Sequence, residues 1–383
     1  MTLKFFSLPA RTFRATSAIF FLAMLAGCSF LNTSNKPKPA DLQAVSGIVS
    51  AKQVWNTRIG PVNFPLDVNI SGLVVFVASS DGSVAALDAR TGVDLWRMTL
   101  GSPIAAGIGS DGKIAAVVTQ ANEVVALQDG RELWRQKLSA QAYTSPFVAG
   151  GRVFVLAADR SINAFDGQTG RKLWTQQRPS EPLVLRQSGV ILAVGDTLVV
   201  GLAGRMAGIN PVNGSIRWEV PIASPRGIND VERLVDLVGS VSREGDIVCA
   251  RAFQAMVGCV NAVRGGLLWS KPANGFQGIQ GDNRYLFGTE SDGVVQAWRR
   301  IDGERAWTVD ALRYRNLTAP LVVGRSLAIG DFAGFVHLLS RENGTTINRL
   351  TTDGSPIAAT PALAGNTLIA VTRNGGVYGF VPE

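Results

Sequence analysis

The chain has 383 residues, of which 46% are hydrophobic and 17% charged, with 42 Gly, 17 Pro, 3 Cys and 1 His. The formal charge of +8 is spread along the chain without a dense Lys/Arg run, which argues against nucleic-acid binding. A single His leaves a His-based metal site or a Ser-His-Asp triad poorly supported, and neither a P-loop nor a Rossmann fingerprint is present.

The first segment is a leader. Lys4, Arg11 and Arg14 precede an apolar run over 18–26 that is well short of the roughly 20 residues of a spanning helix. It ends in Leu25-Ala26-Gly27-Cys28, which resembles a bacterial lipobox. The resemblance implies cleavage after residue 27, with Cys28 diacylated and N-acylated as the first mature residue. The alternative is a plain signal peptide with an incidental Cys. Several acyl chains, at about 0.8 kcal/mol per buried CH₂, make a stable anchor. Ser29 rather than Asp follows Cys28, which in such lipoproteins implies onward export to the outer membrane. Three of the eight net charges leave with the leader, so the mature chain carries +5. Residues 28–50 are polar and rich in Ser, Asn, Lys and Pro, the composition of a flexible tether.

From 51 to 383 one unit recurs. Its clearest copy is Val74–Leu100, where three short apolar runs are joined by Asp81-Gly82 and by the loop Asp88-Ala89-Arg90-Thr91-Gly92. Asp-Gly between alternating apolar residues predicts a tight hairpin, because such turns need positive φ. Asp88 can fold its carboxylate onto loop N–H groups, and Gly92 supplies a left-handed residue where the Trp96 strand begins. Three strands cannot bury such a face alone.

Trp96, Trp134, Trp174, Trp218, Trp269 and Trp307 follow similar turns at spacings of 38, 40, 44, 51 and 38, and a seventh copy ends at Asn348. The mean period of 42 suits a four-stranded propeller blade. The last copy stops at Pro382 without its Trp-bearing strand, whereas Gln53-Val54-Trp55-Asn56-Thr57 precedes the first complete copy. An N-terminal strand completing the C-terminal blade closes an all-β, eight-bladed propeller and leaves no free edge between its ends. The Trp residues are expected to pack between blades rather than to bind ligand. His337, inside a strand, is expected to be a packed residue.

Ala-Leu-Asp-x-x-Thr-Gly-x-x-x-Trp, as at Ala86–Trp96, resembles the repeat of pyrroloquinoline quinone (PQQ) dehydrogenases. Those enzymes are longer and use a catalytic Asp, a calcium shell and usually a vicinal Cys pair. Here Cys-Cys is absent, and acidic residues such as Asp81, Asp88 and Asp166 fall in turns. No catalytic residue, metal or cofactor is therefore expected. A carbohydrate-binding propeller would need exposed aromatics, and the chain is 8% aromatic with most Trp assigned to packing.

The lipobox, the PQQ-like repeat and eight blades closed through the N-terminus together resemble the BamB family. These are the propeller lipoproteins of the outer-membrane β-barrel assembly machinery. Two irregular inserts sharpen the resemblance. The first, 178–190, holds Leu183-Val184-Leu185-Arg186, similar to the family's Leu-x-Leu-Arg segment. The second, 224–238, is similar to the family loop in which Arg-Leu precedes Asp-x-Asp, with Asp236 as the first Asp and Val238 in place of the second. The resemblance implies that Leu183, Leu185, Arg186 and Asp236 contact the periplasmic POTRA domains of BamA. Residue chemistry agrees, since two Leu alternating along an extended loop beside an Arg have the make-up of an interface hot spot. The competing reading tucks both Leu under the loop onto blade four. An Arg186–Asp236 ion pair joining the loops is a further expectation.

Cys249 and Cys259 flank the central hairpin of blade five, in an oxidising compartment if the leader is read correctly. A two-residue turn at Gln254-Ala255 would point them to opposite faces. A three-residue loop, Phe253-Gln254-Ala255, would set them directly opposite as a bondable pair.

Overall fold

Short, nearly continuous apolar runs of Val, Ala, Leu and Phe, as in Val74–Ala78 and Ser83–Asp88, form strands whose two faces are both buried. A computed structural model describes residues 2, 37–45, 51–177, 183–225, 228–229 and 234–382. Contacts divide the chain into two units, Met1–Lys38 and Pro39–Glu383, and nearly all described residues belong to the second. Cys28 and all of the leader except residue 2 lie outside the described residues.

Among the described residues, thirty-two strands form eight four-stranded antiparallel sheets. Blades one to seven are the consecutive strands of 69–99, 104–137, 147–176, 191–221, 237–272, 279–309 and 321–351. Blade eight takes three strands from 362–382 and its fourth from Ala51–Arg58, which pairs antiparallel along Gly376–Pro382. The ring is therefore closed by the predicted N-terminal strand. Apolar clusters fill the spaces between neighbouring blades, for example Phe154 and Ile162 of blade three against Leu198 and Ile209 of blade four.

The seven outer-strand Trp explain the glycine of the repeat. A Cβ at Gly92 (φ +70°) would lie 2.5 Å from the Trp55 ring of the preceding blade. Gly170, Gly214, Gly265, Gly303 and Gly344 each meet the preceding blade's Trp within 2.7 Å, and Gly130 meets Trp96 more loosely at 3.1 Å. Five of the indoles also donate Nε1–H to a carbonyl of that turn, as Trp55 does to Ala89 (2.9 Å) and Trp134 to Gly167 (2.7 Å). Each Trp is thus a plate laid on the next blade's third turn. Asn348 replaces Trp in blade seven for a topological reason. Its neighbour, blade eight, has no third turn, because the chain ends interrupt it there.

The Asp88 carboxylate accepts from the N–H groups of Arg90 and Thr91 at 2.9 and 3.1 Å, as its turn position implies. The Asp81-Gly82 hairpin is longer than a two-residue primed turn: Ser79 pairs back to Ser83, and Gly82 alone in the turn takes positive φ (+97°). In blade five the register sets Ala252 against Met256 and Cys249 against Cys259. Gln254 takes positive φ (+47°), and the two sulfurs are joined in a fully buried cross-strand disulfide. The three-residue loop is therefore the one adopted.

Part of the stretch expected as tether is ordered against the ring. Ala40, Leu42 and Gln43 contact blades six and seven.

Candidate functional site

In an antiparallel blade the hairpin between the second and third strands, and the link from the fourth strand to the next blade, emerge on one face of the ring. Both inserts are such links, joining blade three to four and blade four to five. Residues 178–182, 226–227 and 230–233 of them lie outside the described residues.

Asp236 holds the inserts together. Its Oδ2 accepts the Leu185 N–H at 3.1 Å, and its Oδ1 accepts Arg160 Nη2 at 3.1 Å. The same Arg160 nitrogen donates to the Leu183 carbonyl at 3.2 Å. Arg160 comes from the blade-three hairpin, where it stands at φ +60°, the place that Gly82 fills in blade one. Little of either partner is exposed, 11% of the Arg160 side chain and 17% of that of Asp236. One buried guanidinium and one carboxylate thereby set the path of Leu183–Leu185. Further along, Gly189 bridges Val238, and the Gly239 N–H donates to the Ser188 carbonyl at 2.9 Å.

The base of the first insert is fixed from the channel side. Asp67 accepts the hydroxyls of Ser188 (2.6 Å) and Ser145 (2.9 Å), and Thr144 Oγ1 accepts the Gly189 N–H at 2.9 Å. Burial raises the Asp67 carboxyl above its ordinary range, and the two serine hydroxyls only partly oppose this.

This anchored loop presents a mixed surface. Leu183 is 39% exposed and Arg186 is exposed, its guanidinium 6.0 Å from the centre of the Tyr143 ring. Leu185 is half-buried and lines a small cavity with Tyr143, Leu156 and Leu237. The two Leu therefore divide the roles that the sequence offered as alternatives, one projecting and one tucked. The expected Arg186–Asp236 ion pair is not formed, because Arg160 already occupies the carboxylate. Val238 is 2% exposed and sits opposite Arg251 in the blade-five sheet, so this position is apolar core.

Comparison with known proteins decides the family. The profile described as "Outer membrane protein assembly factor BamB" matches residues 80–309. The outer membrane protein assembly factor BamB of Burkholderia pseudomallei is 36% identical over 364 residues, covering 94% of this chain and 95% of that one. Its counterpart from Bordetella pertussis is 32% identical, covering 97% of each. The chain belongs to the BamB family. The crystal structure of BamB from Moraxella catarrhalis superposes with a TM-score of 0.79 at 22% identity, over 87% of this chain and all of that one, and supports the same fold.

BamB proteins are assembly factors and not enzymes, and the single histidine of this member is committed to structure. His337 is fully buried, with Nε2 2.9 Å from Asp331 Oδ2 and Nδ1 3.4 Å from Arg349 Nε, so both ring nitrogens have structural partners. Burial holds its imidazole below the ordinary value; Asp331 opposes this, and Arg349 and Arg315 reinforce it. Among the described residues no group of three or more His, Cys, Asp or Glu is arranged to hold a metal. Sequence reasoning missed Arg160 and Tyr143. Arg160 did leave a signal, as Asp159-Arg160 stands where the repeat has Asp-Gly.

Proposed function

We propose that this BamB protein is anchored in the outer membrane by acyl groups on Cys28, faces the periplasm, and binds the POTRA domains of BamA through Leu183 and Arg186, with Leu185 packed beneath them. In this reading it supports folding and insertion of β-barrel proteins as a scaffold within the assembly complex. Asp236 acts from behind the surface by holding the loop. The observation that carries the reading is the clasp of Arg160 and Asp236, which spends two charges to keep an apolar residue and an arginine exposed. A solvated linker needs no such support.

Truncating an interface anchor commonly costs 2 kcal/mol or more. Pull-down from solubilised outer membranes should recover BamA with the native chain and much less with Arg186→Ala at unchanged melting temperature. Equal recovery from a folded variant removes the assignment of this face. For the anchor, Cys28→Ala should shift the protein from the membrane fraction to the soluble periplasm, and retention in the membrane contradicts it.

A further inference from the structure

Residues 39–45 make specific contacts that a free linker would not. The Ala40 N–H donates to the Arg313 carbonyl at 2.9 Å, and Arg315 Nη1 donates to the Ala40 carbonyl at 3.2 Å. Three residues on, Arg349 Nη2 donates to the Gln43 carbonyl at 3.1 Å. Between these clamps Leu42 packs on the apolar cluster of blades six and seven, which includes Phe287, Leu312, Leu317 and Ile329.

The clamps are built in advance. Arg315 is 7% exposed, with Nε bound to Asp331 Oδ2 at 2.7 Å and its guanidinium 5.1 Å from the Phe332 ring centre. Arg349 is held by His337 Nδ1 and lies 5.7 Å from the Phe335 ring centre. Each guanidinium is thus fixed on the ring and aims a spare N–H at a main-chain carbonyl of the segment. Such charge-assisted bonds are stronger than neutral ones.

The location matters. Arg313 and Arg315 lie in the link from blade six to seven, and Asp331 in the second-to-third-strand hairpin of blade seven. These are the two classes of connection that form the Arg160–Asp236 site, so the segment and that site lie on one face. Arg186 and Leu317 also line one cavity of about 330 Å³ at the channel mouth.

We infer that residues 39–45 are a docked strap that delivers the membrane anchor to the partner-binding face of the ring and halves the length of chain between Cys28 and the ring. The inference rests on the anchor reading above. Eleven residues lead from Cys28 to Pro39, a reach of at most about 36–40 Å, against roughly 76–83 Å if the chain were free as far as Ala51. The strap holds the partner site near the bilayer.

Two readouts test this on the full mature chain. A nitroxide on Ala44→Cys should give a restricted spectrum in an otherwise native chain and a mobile one when Leu42→Asp is added. Leu42 lies outside the blade strands, so the ring should stay folded, as a retained cooperative thermal transition would show. Arg349→Gln, which removes one clamp, should fall between. By neutron reflectometry on a supported bilayer, the lipidated chain should form a close, narrow protein layer, and Leu42→Asp a layer with about twice the stand-off. A native label as mobile as that of the variant, or equal stand-off for both proteins, overturns the strap. Failure of the anchor reading would look different, with both proteins leaving the bilayer while the label still reports docking.

Discussion

The second-to-third-strand hairpins of blades one and three have the same main-chain bond, from Gly82 N–H to the Ser79 carbonyl in one and from Arg160 N–H to the Ala157 carbonyl in the other. In blade one the left-handed residue is Gly82, at no steric cost, and the turn's bonds to the preceding link run through Ser80 instead of through a side chain at this position. In blade three it is Arg160, which pays roughly 1–2 kcal/mol for the same conformation and uses its side chain to hold both inserts. A repeat protein can be read through this contrast. Positions that keep the repeat residue close the ring, and positions that give it up at an energetic cost are doing something else. Cys249 and Cys259 and the Arg315–Asp331–His337 cluster also depart from the repeat to make contacts of their own, whereas Asn348 departs because blade eight offers no third turn.

The first way to test the contrast is to damage the ring itself. Deleting residues 50–60 removes the closing strand and Trp55, which is 8% exposed. Loss of a buried Trp alone costs about 3–5 kcal/mol, so thermal unfolding should move down sharply. An unchanged melting temperature breaks the closure account.

A smaller loss is expected from the blade-five staple. A disulfide across ten residues contributes about 2–3 kcal/mol in the loop-entropy treatment. Cys249→Ala with Cys259→Ala should lower the unfolding free energy by that amount, read as a lower denaturant midpoint, and leave partner binding intact. Two free thiols in unreduced mature protein by mass spectrometry would contradict the pairing.

Next comes the clasp. Asp236→Ala leaves Arg160 largely buried without its carboxylate and frees the Leu185 N–H, at a cost of about 1–3 kcal/mol. Binding of POTRA domains should weaken about tenfold or more, while the disulfide variant binds normally. Matching losses in the two variants would show general damage instead of a specific site.

The smallest effect is on pH dependence. The His337 imidazole is held below its ordinary value of 6.5, so below that pH the unfolded chain binds more protons than the folded one. Stability should therefore fall as pH drops beneath 6.5. Asp331 adds to the loss at lower pH: burial would raise its carboxyl, but bonds from His337, the Phe335 N–H and Arg315 hold it below 3.8. His337→Gln should flatten the slope just beneath pH 6.5, as read by melting temperature across a pH series.

Much of the architecture was legible in the chain because it is periodic. Trp spacing gave the blades, and a strand missing at one end and spare at the other gave the closure. At the site, Leu183, Leu185, Arg186 and Asp236 could be singled out by pattern and resemblance. Their division of labour could not, because exposure of Leu183 and burial of Leu185 depend on a carboxylate 51 residues away in sequence. Arg160 was overlooked because a charged residue in a surface turn is ordinary unless its φ is known. The docked strap was hidden for a related reason. Its bonds at Ala40 and Gln43 run through its main chain, which carries no sequence signature, and its polar composition is that of a free linker.

The most direct test of the account replaces Arg160 with the residue the repeat would have there. Arg160→Gly relieves the strained φ while removing the clasp, so the two readings of this residue separate. Titration calorimetry of the mature chain with a BamA POTRA fragment should show affinity reduced about tenfold, with a melting temperature no lower than native by more than about 2 °C. Native affinity in the folded Arg160→Gly protein would contradict the claim that this departure from the repeat exists to present the partner-binding loop.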